Sequence, residues 1–248
     1  MTGPHDPLVP VCIDRIVPEG HEVKTFVLAP VTGPASRELA YRAGQFLTLR
    51  LPVPADRPVL RSYSISTCPV SDPRLAVTVK RTAGGTGSNW LYETAEPGMT
   101  LEVLPPSGSF TLDDSGNDLL LFAAGVGITP VYSLLKYALA ASRRTVRLHY
   151  SVRSRDTAPF LGPIENLERR HPGRLRLDLR VTGAHGRLDA ATVRDLSGTL
   201  HAPTSYVCGP AGYTAMVTDA LRAAGRPESS VRTESSGRPP RTPRGAAA

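Results

Sequence analysis

The sequence predicts two lobes: an antiparallel β-barrel over residues 8–112, then a doubly wound parallel α/β sheet over residues 117–234. Three observations carry this. Up to residue 112, short stretches rich in Val, Leu, Thr and aromatics are punctuated by Pro and Gly at intervals that suit a barrel or sandwich. After "DDSGN" (113–117) apolar strands alternate with stretches of helical spacing, the pattern of a parallel sheet covered on both faces. A chain of 248 residues, 40% of them hydrophobic, is also long enough to bury two cores.

In the first lobe, "VCIDRIVPEG", "VKTFVLAP", "QFLTLRLP", "LRSYSIST", "RLAVTVKR" and "MTLEVLPP" each read as a strand ended by turn formers. One helix, "GSNWLYETA", interrupts them. In the second lobe "DLLLFAA" is a continuous apolar strand and "TPVYSLLKYALAAS" a helix with one apolar stripe. "TVRLHYSV", "LRLDLRV" and "TSYVCG" follow as strands, separated by the helices "PIENLERR" and "ATVRDLS". The helix "AGYTAMVTDALRAAG" and a fifth strand in "SSVRTE" complete the lobe. Right-handed crossovers favour the order 3-2-1-4-5, which sets the first and fourth strands side by side at the switch point where ligands bind. Residues 235–248, rich in Pro, Gly, Ala and Arg, read as a disordered basic tail.

The net charge of +7 lies partly in that tail and otherwise suits a solvated basic surface. No nucleic-acid motif and no aromatic-studded basic helix accompanies it, so no nucleic-acid partner is expected. No run of 18 apolar residues offers a membrane span, and "MTGPHDPLVP" lacks the basic start and apolar centre of a secretory leader. Cysteines stand only at 12, 68 and 208, without a C-x-x-C, which excludes a conventional Cys-ligated zinc or iron–sulfur centre within this sequence. A cytoplasmic protein without a metal site is the expectation.

Three stretches carry chemistry. In "FAAGVGITPVYSLL" a strand runs into Gly125 and Gly127, and Thr129-Pro130 opens a helix. Glycines let a ligand approach the backbone, and the free N–H groups of a helix start attract a pyrophosphate. The third glycine of G-x-G-x-x-G is absent, so taken alone the stretch fits an ordinary tight βα turn equally well. In "YVCGPAGYTAMV" a strand again ends in Cys208-Gly209-Pro210 before a helix. Taken alone, Cys208 reads as a small buried hydrophobe, as Tyr206 and Met216 read as core. The third constellation joins "RSYS" to "VKRTAGGTGSNWL". Arg61 suits a bidentate phosphate contact, Tyr63 offers a flat face and Ser64 one hydrogen bond. Gly84, Gly85 and Gly87 make a turn, and Ser88 is placed to cap the helix after it.

Taken in order, "YRAGQFLTLRLP", "RSYSIST", "VKRTAGGTGSNWL", "PSGSFTL", "AAGVGITPVYSLL" and "YVCGP" resemble the ferredoxin–NADP reductase superfamily over residues 8–234, nearest to the FAD-containing NAD(P)H reductases that feed oxygenases. The resemblance implies a flavin-binding barrel and a pyridine-nucleotide-binding α/β lobe, with FAD as cofactor and NADPH or NADH as electron donor. It assigns Arg61 to the flavin-nucleotide phosphate, Tyr63 to stacking on the flavin ring, and Ser64 to a hydrogen bond near flavin N5, with Ser62 between them. Val79 and Lys80 would line the far edge of the ring, and Gly85, Ser88 and Asn89 the phosphate turn. Gly125, Gly127, Thr129 and Pro130 would form the nucleotide loop, and Cys208, Gly209 and Pro210 the segment beside the nicotinamide. Ser64, Cys208 and Glu234 are thereby the candidate catalytic residues, in a reaction that passes a hydride from nicotinamide to flavin. Arg153 and Arg155 after the second strand, with Arg187 further on, tilt the expected donor towards NADPH, though plain surface charge explains them too. The family often follows its last acid with an aromatic; here Glu234 precedes Ser235-Ser236-Gly237. Close relatives also often carry a fused ferredoxin domain, for which this sequence lacks the four cysteines, so a separate, acidic ferredoxin is the expected acceptor. A free-flavin or quinone reductase, or a nucleotide-binding regulatory subunit without turnover, are the alternative readings.

Overall fold

The computed structural model describes residues 8–31, 39–53 and 57–235; of the expected disordered tail, all but Ser235 lies outside the described residues. Six strands, β1 (Val9–Pro18), β2 (Val23–Pro30), β3 (Phe46–Leu51), β4 (Val59–Ser64), β5 (Leu75–Lys80) and β6 (Thr100–Ser107), form one antiparallel sheet in the order β4-β3-β6-β1-β2-β5. The sheet curls until its two edges touch at a bridge between Ile65 and Val77, which closes the barrel. Strand alternation sends Leu47, Leu49 and Leu51 inward to meet Phe26, Val77 and Val79, all fully or almost fully buried. Tyr63 and Arg61 lie opposite Leu47 and Leu49, so they share the inward-facing side of β4, while Ser62 and Ser64 take the outer side. Helix α1 (Thr86–Glu93) sits where Arg61 and Tyr63 emerge, and its Leu91 completes the barrel core.

The second sheet is all parallel, with β7 (Leu119–Ala124), β8 (Val146–Val152), β9 (Leu175–Val181), β10 (Thr204–Gly209) and β11 (Val231–Ser235) in the order β11-β10-β7-β8-β9. This is the expected 3-2-1-4-5 arrangement. Helices α2 (Ile128–Ala141) and α3 (Leu161–Arg170) cover one face. A four-residue turn, α4 (Thr182–His185), follows β9 where no helix was expected. Helices α5 (Ala190–Ser197) and α6 (Ala211–Ala223) cover the other face. Leu119, Leu121 and Ala123 enter the first core, and Leu120 and Phe122 the second, which is why β7 reads as an unbroken apolar run.

The link between the lobes is pinned. Arg144 donates to the carboxylate and the carbonyl of Asp113, and the Thr204 hydroxyl donates to the same carboxylate at 3.1 Å. The Tyr206 hydroxyl accepts the Asp113 N–H and donates to the Thr111 carbonyl, both at 3.0 Å. Burial pushes the Asp113 carboxyl up, but hydrogen bonds from Ser115 and Thr204 and the Arg144 cation hold it below the usual carboxylate range. On α2, the buried Ser133 accepts the Gly44 N–H at 3.3 Å and donates to the Thr67 carbonyl, so one hydroxyl bridges two barrel segments. Gly44, at φ +89°, allows this approach: a Cβ there would stand 2.0 Å from the Phe110 carbonyl oxygen.

Candidate functional site

The end of β4, the ends of β7 and β10, and β11 converge at the seam between the lobes. Ser64 Oγ donates to Glu234 Oε1 at 3.3 Å, and Glu234 is the direct β-ladder partner of Cys208. The three expected catalytic residues thus come together from strands as much as 170 positions apart. Burial pushes the Glu234 carboxyl up to about 7, and the Ser64 hydrogen bond pulls it back only in part. Near neutral pH it can therefore hold or release a proton at the Ser64 hydroxyl. Cys208 is 1% exposed, and burial together with the neighbouring Glu234 charge pushes its thiol far up. It stays protonated and supplies shape rather than a nucleophile.

Glycines let these strand ends meet. A Cβ on Gly127 would lie 2.5 Å from the Cys208 carbonyl oxygen, and one on Gly209 would lie 3.0 Å from Ala124 Cβ. Gly125, at φ +54°, borders open space, with nothing within 4 Å of where its Cβ would stand. No side chain caps the turn Gly125–Gly127 or the start of α2, so backbone donors there remain for a ligand. Thr129 does not add to them: its hydroxyl donates to the Val126 carbonyl at 2.6 Å, and both Thr129 and Pro130 are buried. These two residues shape the loop. Gly209 is buried, and the exposed Pro210 precedes α6.

On the barrel, Arg61 is exposed, and its guanidinium donates to the Leu60 carbonyl at 2.8 Å. Tyr63 is half-buried; burial pushes its phenol up to about 12 against the pull of Arg61, so it stays neutral. The first turn of α1 rests on both, since a Cβ on Gly87 would stand 3.0 Å from Arg61 Cγ and 3.6 Å from Tyr63 Oη. The expected Ser88 cap is not observed. Helix α1 starts at Thr86, three residues before the start that a Ser88 cap implies; Gly85 precedes it without a side-chain cap, and Ser88 lies inside the helix. Its hydroxyl accepts the Thr82 N–H at 3.2 Å and donates to the Gly85 carbonyl, which ties the turn together. Asn89 leaves a buried side-chain oxygen without a partner. An exposed guanidinium and an uncapped helix start fit a phosphate, and the orphaned Asn89 oxygen fits a hydroxyl donor; a cofactor such as FAD carries both groups.

Ser62 pairs with Thr48 at 2.8 Å on the outer side of the strand. Val79 points into the barrel core, so its side chain cannot line a ligand, whereas Lys80 is exposed. Beyond β8, Arg155 pairs with Glu165, while Arg153 and Arg187 are exposed and the Arg153 carbonyl accepts the Gly183 N–H at 3.1 Å. Sequence reasoning missed Asp113, Ser133 and Lys136, the seam residues. The available signal was a Ser and a Lys in an otherwise apolar helix and an Asp at the lobe boundary.

A family model described as the oxidoreductase FAD-binding domain matches residues 13–112, and one described as the oxidoreductase NAD-binding domain matches residues 121–219. Together they occupy both lobes in the order found in reductases of this type. The chain belongs to the ferredoxin reductase family. Its two domains therefore take FAD and a pyridine nucleotide. The ferredoxin reductase component of 3-ketosteroid-9-alpha-monooxygenase from Mycolicibacterium smegmatis is 40% identical over 218 residues, covering 88% of this chain and 59% of that protein. This family member thus spans about three-fifths of the length of the curated relatives it matches. Phthalate dioxygenase reductase, described as transferring electrons from pyridine nucleotides to [2Fe-2S], has a TM-score of 0.77 at 25% identity, covering 93% of this chain and 68% of that one. The FAD/NAD-binding domain of a nitric oxide dioxygenase from Vibrio cholerae shares the reductase fold at a TM-score of 0.79 and 23% identity, covering 91% and 97%. Among the described residues, no helix is long and apolar enough to cross a membrane, and no cluster of three or more His, Cys, Asp or Glu is arranged to hold a metal ion.

Proposed function

We propose that the chain is a flavoprotein reductase that takes a hydride from NAD(P)H onto FAD and hands the electrons to a separate acceptor, a ferredoxin-type iron–sulfur protein serving an oxygenase. The observation that carries this is the Ser64–Glu234 contact, which joins the barrel strand bearing Arg61 and Tyr63 to the last strand of the nucleotide lobe. FAD, when bound, supplies a centre that accepts two electrons together and releases them singly. The protein's part is to hold, orient and exclude water. Arg61 and the start of α1 bind phosphate, Tyr63 supplies a flat neutral face, and Gly125–Gly127 with Gly209 bring the nucleotide against it. Ser64 and Glu234 hold a proton at the seam. Residues 8–112 serve as the FAD domain and 117–234 as the nucleotide domain, and three unpaired cysteines suit the cytoplasm. Arg153, exposed beyond β8, favours NADPH over NADH.

The test is anaerobic reduction of the purified protein. Stoichiometric bound FAD should bleach on addition of NADPH, and electrons should then pass to an added ferredoxin. Flavin lost on simple dilution would instead support a free-flavin reductase, and a bound flavin that neither nucleotide bleaches would end the proposal. A tenfold or larger kcat/KM advantage for NADH would overturn the NADPH assignment alone.

A further inference from the structure

On the outer side of β2 and β5, against the nucleotide lobe, four polar contacts run in series. Thr25 Oγ1 lies 2.8 Å from Glu19 Oε1 and 2.7 Å from Thr78 Oγ1. Thr78 Oγ1 donates to Ser66 Oγ at 2.9 Å, and Ser66 Oγ donates to the Ala76 carbonyl at 3.3 Å. The three hydroxyl residues are 2–7% exposed, so water does not complete their bonding. Each hydroxyl owns one hydrogen, and three hydrogens cannot fill four contacts. All four contacts are filled at once only when Glu19 carries a proton and donates it to Thr25, which then donates to Thr78. If Glu19 is ionised, Thr25 turns to the carboxylate, and its contact with Thr78 survives only if Thr78 turns away from Ser66.

We propose that Glu19 is a proton-holding residue at the lobe seam, and that gain or loss of its proton reverses the hydroxyl chain and sets how firmly the nucleotide lobe seats on the barrel. The groups facing Glu19 give the direction. The Phe160 N–H and the Lys136 ammonium approach its carboxyl from the nucleotide lobe, and the hydroxyls of Tyr132 and Tyr150 lie in the same cluster. Lys136 is shared with Asp72 of the barrel and stands over the Tyr132 ring, which stacks on Phe160. Tyr150 donates to the Pro159 carbonyl and reaches the Gly125 carbonyl at 3.4 Å, so the cluster adjoins the nucleotide loop. Burial is the main influence on Glu19 and raises its pKa, while Thr25, the Phe160 N–H and Lys136 oppose it without cancelling it. The protonated acid satisfies the hydroxyl chain and leaves Lys136 to Asp72. The carboxylate draws Lys136 and the Phe160 N–H but loses more to burial than they return, so rising pH loosens the seam. None of this depends on which nucleotide or acceptor the protein uses.

The test uses the FAD-loaded full chain and needs no turnover. Infrared difference spectra across a pH titration should show a carboxylic-acid band that persists above the pH at which exposed glutamates ionise. Glu234 contributes such a band as well, so the band should remain in Glu234→Gln and vanish only when Glu19→Gln is added to that variant. Thr25→Val, which removes a hydrogen bond favouring the carboxylate, should move the titration to higher pH. Amide exchange of residues 156–161, corrected for its intrinsic pH dependence, should speed several-fold on ionisation in the wild type, as local opening becomes easier, and should not change in Glu19→Gln. A band that survives in the double variant Glu19→Gln, Glu234→Gln, or a titration unmoved when Thr25→Val is made in the Glu234→Gln background, overturns the proposal. Equal exchange in wild type and Glu19→Gln overturns the link to the seam.

Discussion

Glu234 ionises near neutral pH chiefly because burial strips its carboxylate of water, and this has a thermodynamic consequence. Its pKa is raised from 4.5 to about 7 in the fold, so the stability it contributes is complete below about pH 4.5 and is lost as pH rises through 7. Calorimetry across that window should show the wild-type Tm falling, with a flatter profile for Glu234→Gln. The rate of flavin reduction should inflect near pH 7 in the wild type, and the inflection should be absent in the same variant. Arg61→Ala should weaken FAD binding by about ten- to a hundredfold, the worth of a charged phosphate contact. Arg61→Lys should restore only part of it, because one ammonium cannot replace a planar fork; fluorescence titration of the apoprotein measures both. Arg61 and Tyr63 stood out in the sequence by their side-chain chemistry and Glu234 only through the family resemblance, and the fold joins their two strands at the Ser64–Glu234 contact. Ser88 was misread because the helix begins three residues sooner than a cap at that position implies, and that shift turns a cap into an interior residue. Glu19 was not legible at all, since "PEG" reads as a turn and only the fold lays it against Phe160 and Lys136.

The contact between the turn after β7 and the end of β10 depends on what is absent from two residues. Gly127→Ala would drive a methyl group into the backbone of Cys208 and Gly209, neither of which is a flexible side chain able to swing away. Overpacking of this kind costs about 1–3 kcal/mol. The expected result is a lower Tm and a weaker NAD(P)H affinity, with FAD content unchanged because the barrel is untouched. Equal nucleotide affinity in variant and wild type would contradict the role given to this contact. At this scale the sequence was more informative. Apolar strands such as "DLLLFAA" can be buried on both faces only within a parallel sheet, and crossover handedness then leaves few strand orders. The α4 turn escaped notice because four residues, two of them Gly and His, carry no usable periodicity.

The molecule as a whole carries a formal charge of +7, which bears on how it would meet the proposed acceptor. If that acceptor is acidic, encounter is steered by charge. The second-order rate of ferredoxin reduction should then fall steeply between low and high ionic strength, while flavin reduction by NAD(P)H in the same buffers changes little. A salt-independent encounter rate would rule out electrostatic steering. The grip of Arg144, Thr204 and Tyr206 on the segment around Asp113 has a mechanical consequence as well. A tether with no slack cannot act as a swivel. Stretched between its ends in an optical trap, the molecule should rip in a single event, not as two separate modules yielding one after the other.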